Sequence, residues 1–187
     1  MDVKKNYKRI FVRAPLHTTI LYEDDGFVYK TQLVNISLGG VLIRYMPQLP
    51  VINILPIVLD IPQIDSLDQY SIDEISHLEH RNFKRKIFRA KIRVIRRSES
   101  PLDVFIENIG SEFKEVSDEL KEVITAYVNS SVRNISFLLS LLEARNSSPF
   151  EVSYVKKVAQ LLGYGESGSL NHLYHEVKRD YFSLSSI

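Results

Sequence analysis

The chain has no cysteine and no tryptophan, and only 7 glycines and 7 prolines in 187 residues. No apolar run approaches the ~20 residues needed to span a bilayer. Without cysteine there is no disulfide framework, no thiolate metal site and no cysteine nucleophile, and a reducing compartment is the simpler setting. The polar start MDVKKNYKRI lacks the apolar core of a signal peptide. A cytoplasmic protein with no membrane partner is therefore expected, and the Asn-x-Ser triplets at Asn35, Asn134 and Asn146 carry no meaning for glycosylation. What is present is ordinary globular composition, 44% hydrophobic and 25% charged, enough for one domain plus a smaller addition. A formal charge of +1 argues against a surface generally coated with nucleic acid. The charge is unevenly spread, however: residues 60–80 hold six acids and no Lys or Arg, whereas 81–97 hold nine basic residues and no acid. Two neighbouring solvated faces that complement each other would account for this.

Apolar or β-branched runs bounded by turn signals fall at 16–22, 27–36, 41–45, 51–59, 86–97 and 102–108, and EDDG marks a tight hairpin between the first two. Six short strands predict a small antiparallel barrel. Pro56, which has no amide hydrogen, predicts an edge or a break in pairing within the fourth run. In the long connection that follows, Ser71 and Glu74 have capping-box spacing and predict a short helix.

From Ser117 the period changes. Leu120, Ile124, Tyr127, Ser131, Ile135, Leu138 and Leu142 recur at three or four residues and predict one helix with a single apolar stripe to about residue 145. SSPFE starts another, with Ser148 as cap, Pro149 at the first helical position and Glu151 three after the cap, ending at Gly163. A last helix is expected over about 169–182. The organisation expected is a β barrel over 1–116 followed by a helical segment over 117–187.

The stretch VNISLGG, residues 34–40, places unusual residues inside a strand. Side chains two apart on a strand share a face about 7 Å apart, so Asn35 and Ser37 present an amide and a hydroxyl together while Ile36 and Leu38 point the other way. Gly39 and Gly40 permit positive φ and remove the Cβ that would keep a ligand from the backbone. Taken alone, this stretch is better read as a polar strand end running into a Gly-Gly bulge or turn. Upstream, KRIFVR sets Arg9 and Arg13 four residues apart, which in extended chain keeps both on one side about 13 Å apart. Guanidinium is planar and bidentate and suits phosphate oxygens and the O6/N7 edge of guanine, although a basic terminus is also a common solvated feature.

Arg9-x-x-x-Arg13, followed some twenty residues on by Asn35-x-Ser37-x-x-Gly40, resembles the paired signature of PilZ domains, bacterial receptors for the second messenger cyclic di-GMP. IENIGSEFKEVSDELKEVI, with Gly110 and Phe113 leading into a helix, is similar to the closing strand of that family. The resemblance covers roughly residues 5–130. It implies a six-stranded antiparallel PilZ-like barrel, with the arginine segment folding over bound ligand. It also implies that Lys8, Arg9 and Arg13 take guanine and phosphate, while Asn35, Ser37, Gly39 and Gly40 line the guanine. Position 35 is Asn where Asp is common, Lys8 stands where a further arginine is frequent, and the connection at 60–86 is longer than usual.

Other signals are weaker. GYGESG at 163–168 satisfies a dinucleotide fingerprint but follows a helix instead of a strand. The pairs His77/His80 and His172/His175 have one-face helical spacing without an obvious third metal ligand. No catalytic constellation is visible, and neither an enzyme nor a cofactor is expected. The C-terminal pattern, with Ala159, Gly163, Leu170, Leu173, Lys178 and Arg179, looks like the helix-turn-helix of AraC-type regulators. The start of its second helix offers only Asn171 and His172 for base edges, so DNA binding is the lesser expectation. The leading one is a non-enzymatic cyclic di-GMP receptor that acts on an effector protein or through a homodimer of its C-terminal helices. A ligand-responsive transcription factor and a PilZ domain that binds protein only are the alternatives.

Overall fold

The computed structural model describes residues 10–46, 50–99, 106–144, 149–165 and 169–185. The strands are β1 (Ala14–Pro15), β2 (Thr19–Asp24), β3 (Phe27–Ser37), β4 (Gly40–Met46), β5 (Ile54–Gln63), β6 (Lys84–Glu99) and β7 (Ile106–Glu115). The helices are α1 (Ile72–His77), α2 (Asp118–Ala144), α3 (Pro149–Leu161) and α4 (Leu170–Ser185). Strands β2 to β7 pair in the order β3-β2-β5-β6-β7-β4, and β4 returns to β3, closing a six-stranded antiparallel barrel. The two-residue β1 is an addition to the expected six. It lies on the same flank of β3 as β2, which it continues after a break at His17 and Thr18, bridged by Leu16 N–H to the Val34 carbonyl at 3.0 Å and Leu33 N–H to the Thr18 carbonyl at 2.8 Å.

The hairpin at EDDG forms with left-handed backbone at Asp25 (φ 49°) and Gly26 (φ 78°), the geometry that a two-residue turn between twisted strands requires. Strand β5 starts three residues later than expected. The amides of Val51 and Ile52 are bound instead by the buried Asp24 carboxylate, at 3.0–3.1 Å, which removes them from any sheet. Beside Pro56 the pairing of β5 with β2 is limited to Val58 and Ile57, so the break that proline predicted lies on that seam. The last strand runs on to Glu115 instead of ending near 108. Gly110 reads locally as a breaker, yet it is held on both sides, by Leu42 and by Arg96.

The inward row of Ile20, Ile36, Ile43, Leu55, Leu59 and Ile92 is fully buried and continuous with a helical core. Ser117 caps α2 through its hydroxyl, which accepts from Leu120 N–H at 3.2 Å. All seven stripe residues from Leu120 to Leu142 are buried within the chain, where α2 packs on the barrel, α3 and α4. Two polar contacts fix its placement: Tyr127 Oη donates to the Pro15 carbonyl at 2.7 Å, and buried Asn134 accepts from Leu67 N–H at 2.7 Å and donates to the Asp65 carbonyl at 3.1 Å. The seam that suggested pairing between copies is thus covered intramolecularly.

The Ser71–Glu74 capping box forms as expected. Gly163 ends α3 with φ 86°, while Tyr164 N–H bonds the Ala159 carbonyl at 3.0 Å, and α4 begins with Ser169 capping His172 N–H at 3.3 Å. The proposed cap Ser148 lies outside the described residues. The acidic and basic runs meet only in part. Arg85 binds Asp60 at 2.8 Å and Arg81 binds Glu79 at 2.6 Å, while Lys86 and Arg93 turn to Glu119 and Glu112 further along the chain.

Candidate functional site

The signature residues meet at the end of the β3–β4 hairpin. Ser37 pairs with Gly40 across a two-residue turn of Leu38 and Gly39, and the Ser37 hydroxyl donates to the Gly40 carbonyl at 3.3 Å. That turn changes one expectation: Ile36 points into the barrel, but Leu38 belongs to the turn and is exposed instead of sharing its face. A bulge at Val34 shifts the β3–β4 register between Leu33 and Asn35, re-aiming the strand end. Asn35 is half-buried, and its amide makes no hydrogen bond among the described residues.

The arginine segment reaches this hairpin through β1. Ala14 pairs with Ile36 and Pro15 with Asn35, so the same antiparallel register carried one step back sets exposed Arg13 opposite Ser37, and two further steps set Phe11 opposite Gly39. The side chains agree: a Cβ built on Gly39 would lie 2.8 Å from Phe11 Cδ2. Ala14 points inward, fully buried, so alternation turns Arg13 and Asn35 to the outer surface together. Lys8 and Arg9 lie outside the described residues.

Each glycine's missing side chain is matched by a neighbour. The space over Gly39 is taken by Phe11. At Gly40 a Cβ would lie 1.9 Å from the Ser111 carbonyl oxygen and 2.8 Å from Glu112 Cα, because β7 crosses closely here. Ser111 Oγ donates to the Val41 carbonyl and Phe113 N–H to the Gly39 carbonyl, each at 3.0 Å, locking that crossing. Gly110 and Phe113 therefore support the turn that carries the signature.

Sequence reasoning missed Phe11 and Arg44. Phe11 sits between the two arginines of the motif, 44% exposed. Arg44 lies two residues from Leu42, the partner of Asn35 across β3–β4, and so shares its outer face. The alternation Val41-Leu42-Ile43-Arg44 carried that signal. Nearby, Tyr164 and the chain at Gly163 strip water from the ring of His17, although the residue as a whole is exposed. This desolvation lowers the His17 pKa; Asp180 and Glu176 oppose the shift, and Arg44 and Arg179 reinforce it. Tyr164 Oη donates to Asp180 at 3.0 Å, and burial pushes its own phenol pKa up, with Asp180 adding to the shift. The break between β1 and β2 is thereby tied to α4, as Pro15 is tied to α2.

Among the described residues no group of three or more His, Asp or Glu could hold a metal ion, and no helix is long and apolar enough to cross a membrane. The histidine pairs are engaged separately: His77 with the Asp73 carbonyl at 2.7 Å, His80 with the Gln160 carbonyl at 2.7 Å, and His172 near Glu176 at 3.8 Å.

No curated protein matches this chain. Solved structures similar to it include these two. Inhibitor of motility (MotI/DgrA) of Bacillus subtilis is 14% identical with a TM-score of 0.45, over 65% of this chain and 50% of that one. The PilZ domain of YcgR from Escherichia coli, solved with c-di-GMP, is 19% identical with a TM-score of 0.40, over 67% of this chain and 92% of that one. This chain thus spans about half the length of the MotI/DgrA chain. The family model described as PilZ domain matches residues 6–130, taking in both signature motifs, all seven strands and the start of α2. With that match spanning most of its length, the chain belongs to the PilZ domain family.

Proposed function

We propose that this protein is a receptor for cyclic di-GMP that passes ligand binding to a partner protein and catalyses no reaction. The observation that carries the reading is the β1–β3 register, which brings Arg13 beside Asn35 and Ser37 on one outer face. There Arg13 supplies a bidentate cation for phosphate or a guanine edge, and Arg9 and Lys8 extend that grip. Asn35 offers an amide to the guanine, while Ser37 and Gly40 form the turn against which it lies. A cytoplasmic setting follows from a ligand of that kind and from a chain without cysteine.

The arginine segment has two mechanical outlets, Pro15 to Tyr127 on α2 and His17 to Tyr164 and α4. Ordering of residues before Pro15 by ligand is transmitted along these contacts to the helices. The effector reads that change on the helical side. A homodimer through the α2 stripe is disfavoured, because those residues are already buried in their own chain. A DNA-reading role gains nothing from α4, whose exposed start presents Asn171 and His172 with Glu176 beside the histidine.

Calorimetric titration with cyclic di-GMP tests the reading. Saturable heat that is lost in Arg13→Ala supports it. No heat from a folded protein would leave a PilZ domain that binds protein only, and retardation of promoter DNA that weakens steeply with salt would favour the transcription factor.

A further inference from the structure

The outer face of the barrel along the β2–β5 seam carries an apolar strip that the cyclic di-GMP reading does not use. Leu21, 36% exposed, pairs with Val58 across the β2–β5 seam, and Val28, 70% exposed, and Pro56 flank them on the next row. Because that seam is only two residue pairs long, the strands part beyond Tyr22 and Ile57 and leave a groove of about 620 Å³. Pro56 offers no N–H with which β2 could zip it shut. The opening is built into the covalent chain.

Charge frames this strip. The register runs Lys30–Leu21–Val58–Arg89 across β3, β2, β5 and β6, so a cation stands at each end of an apolar pair. Three strand spacings put their Cα atoms about 14 Å apart. Neither the Lys30 nor the Arg89 side chain has an ion pair or hydrogen bond among the described residues, whereas Lys91 is paired with Glu115 at 3.4 Å and Arg93 with Glu112 at 2.5 Å. Two acids also line the groove: Glu23, between Val28 and Pro56, partly offsets these cations, while Glu115 is taken up by Lys91. The stretches of this chain outside the described residues are poor occupants: 1–9 is basic, and 47–49, 100–105, 145–148, 166–168 and 186–187 carry two acids among them, Asp103 and Glu166, on separate stretches.

We propose that this groove docks a segment of a partner protein in which apolar side chains are bracketed by Asp or Glu. The apolar residues cover Leu21, Val28 and Val58, and the carboxylates meet Lys30 and Arg89. Buried apolar area supplies affinity, while the two cations fix orientation and exclude basic sequences.

The test selects a displayed library of random peptides, roughly twelve residues long, on the full-length chain. The selected peptides are then titrated against the wild type, Lys30→Glu, Arg89→Glu and, as an exposed cation on α3, Lys156→Glu. Expected are peptides with acids on both sides of an apolar core, bound about tenfold or more weakly by either of the first two variants, equally by the third, and recovered on Arg89→Glu when one peptide acid becomes lysine. No enrichment, or binding indifferent to both reversals, overturns the proposal. So does capture of phosphatidylglycerol vesicles with the same charge dependence, which would make the face a membrane contact, or self-association lost in Val28→Asp, which would make the occupant a second copy.

Discussion

Gly40→Ala separates the structural half of the signature from its ligand-binding half. The added methyl would lie 1.9 Å from the Ser111 carbonyl oxygen, where side-chain carbons essentially never come within 3.0 Å, so β7 must retreat by about 1.1 Å. The obstacle is backbone on both sides, and no rotamer relieves it. Retreat breaks the Phe113 N–H contact to Gly39 and the Ser111 Oγ contact to Val41, and loosens the Leu42–Gly110 pair beside them. Two to three hydrogen bonds at about 0.5–1.5 kcal/mol each, with overpacking of about 1–3 kcal/mol, give a destabilisation of roughly 3–5 kcal/mol. For a chain of this size the melting temperature falls by about 6–20 °C. Thermal and urea denaturation measure it, alongside calorimetry with cyclic di-GMP. Melting within 2 °C of the wild type, about the shift that 1 kcal/mol produces, would show that β4 and β7 part freely at Gly40 and would refute the close-approach argument.

Arg13→Ala should do the opposite, lowering affinity for cyclic di-GMP by a few kcal/mol while the melting temperature barely moves; a fall in stability that matches the fall in affinity would make the arginine structural. Gly39→Ala pushes only against the end of a side chain, Phe11, so stability should change by less than about 1 kcal/mol while affinity drops as the arginine segment shifts; in a double-mutant cycle with Phe11→Ala the two effects on affinity should be non-additive. Asn134→Ala strands the buried Leu67 amide and should destabilise by about 2–4 kcal/mol with no direct effect on ligand affinity, measured by urea unfolding. Tyr22 is buried and its hydroxyl has no hydrogen-bond partner among the described residues, and burial, helped by Tyr29 and Asp24, pushes its pKa from 10.0 up to about 12. The unfolded phenol therefore ionises first, so the stability that neutral Tyr22 supports is whole below pH 10 and lost as pH rises towards 12. Tyr22→Phe should be neutral or stabilising at pH 7 and should flatten unfolding curves over that alkaline window.

Much of the site could be read from the sequence because its signals are local. The EDDG turn needs left-handed backbone that Asp and Gly supply, and Asn35, Ser37 and Gly40 sit at fixed offsets along one short stretch of chain, a strand end and the turn that follows it. The helix cap at Ser71 and the Gly163 stop are decided within a single turn of chain. Phe11 was invisible for the opposite reason: nothing in KRIFVR says that an aromatic ring will lie on a glycine 28 positions away. The roles of the two glycines were likewise hidden, since the atoms that exclude a side chain at Gly40 belong to Ser111 and Glu112 on another strand.

The same division runs through the helices. A stripe at three- and four-residue spacing requires α2 to bury one face, because burying such side chains stabilises by roughly 1.5–3 kcal/mol each, and that requirement belongs to the sequence. Spacing is blind to the identity of the covering surface, and so suggested a second copy as readily as the chain's own barrel, α3 and α4. Packing chose the latter, and buried Asn134 and Tyr127 fix the choice by directional bonds to the Asp65–Leu67 connection and to Pro15. Periodicity and turn chemistry act between residues a few positions apart and are written in their order. Register across strands, the β7 crossing over Gly40 and the link from the arginine segment to the helices depend on surfaces that meet only when the barrel closes.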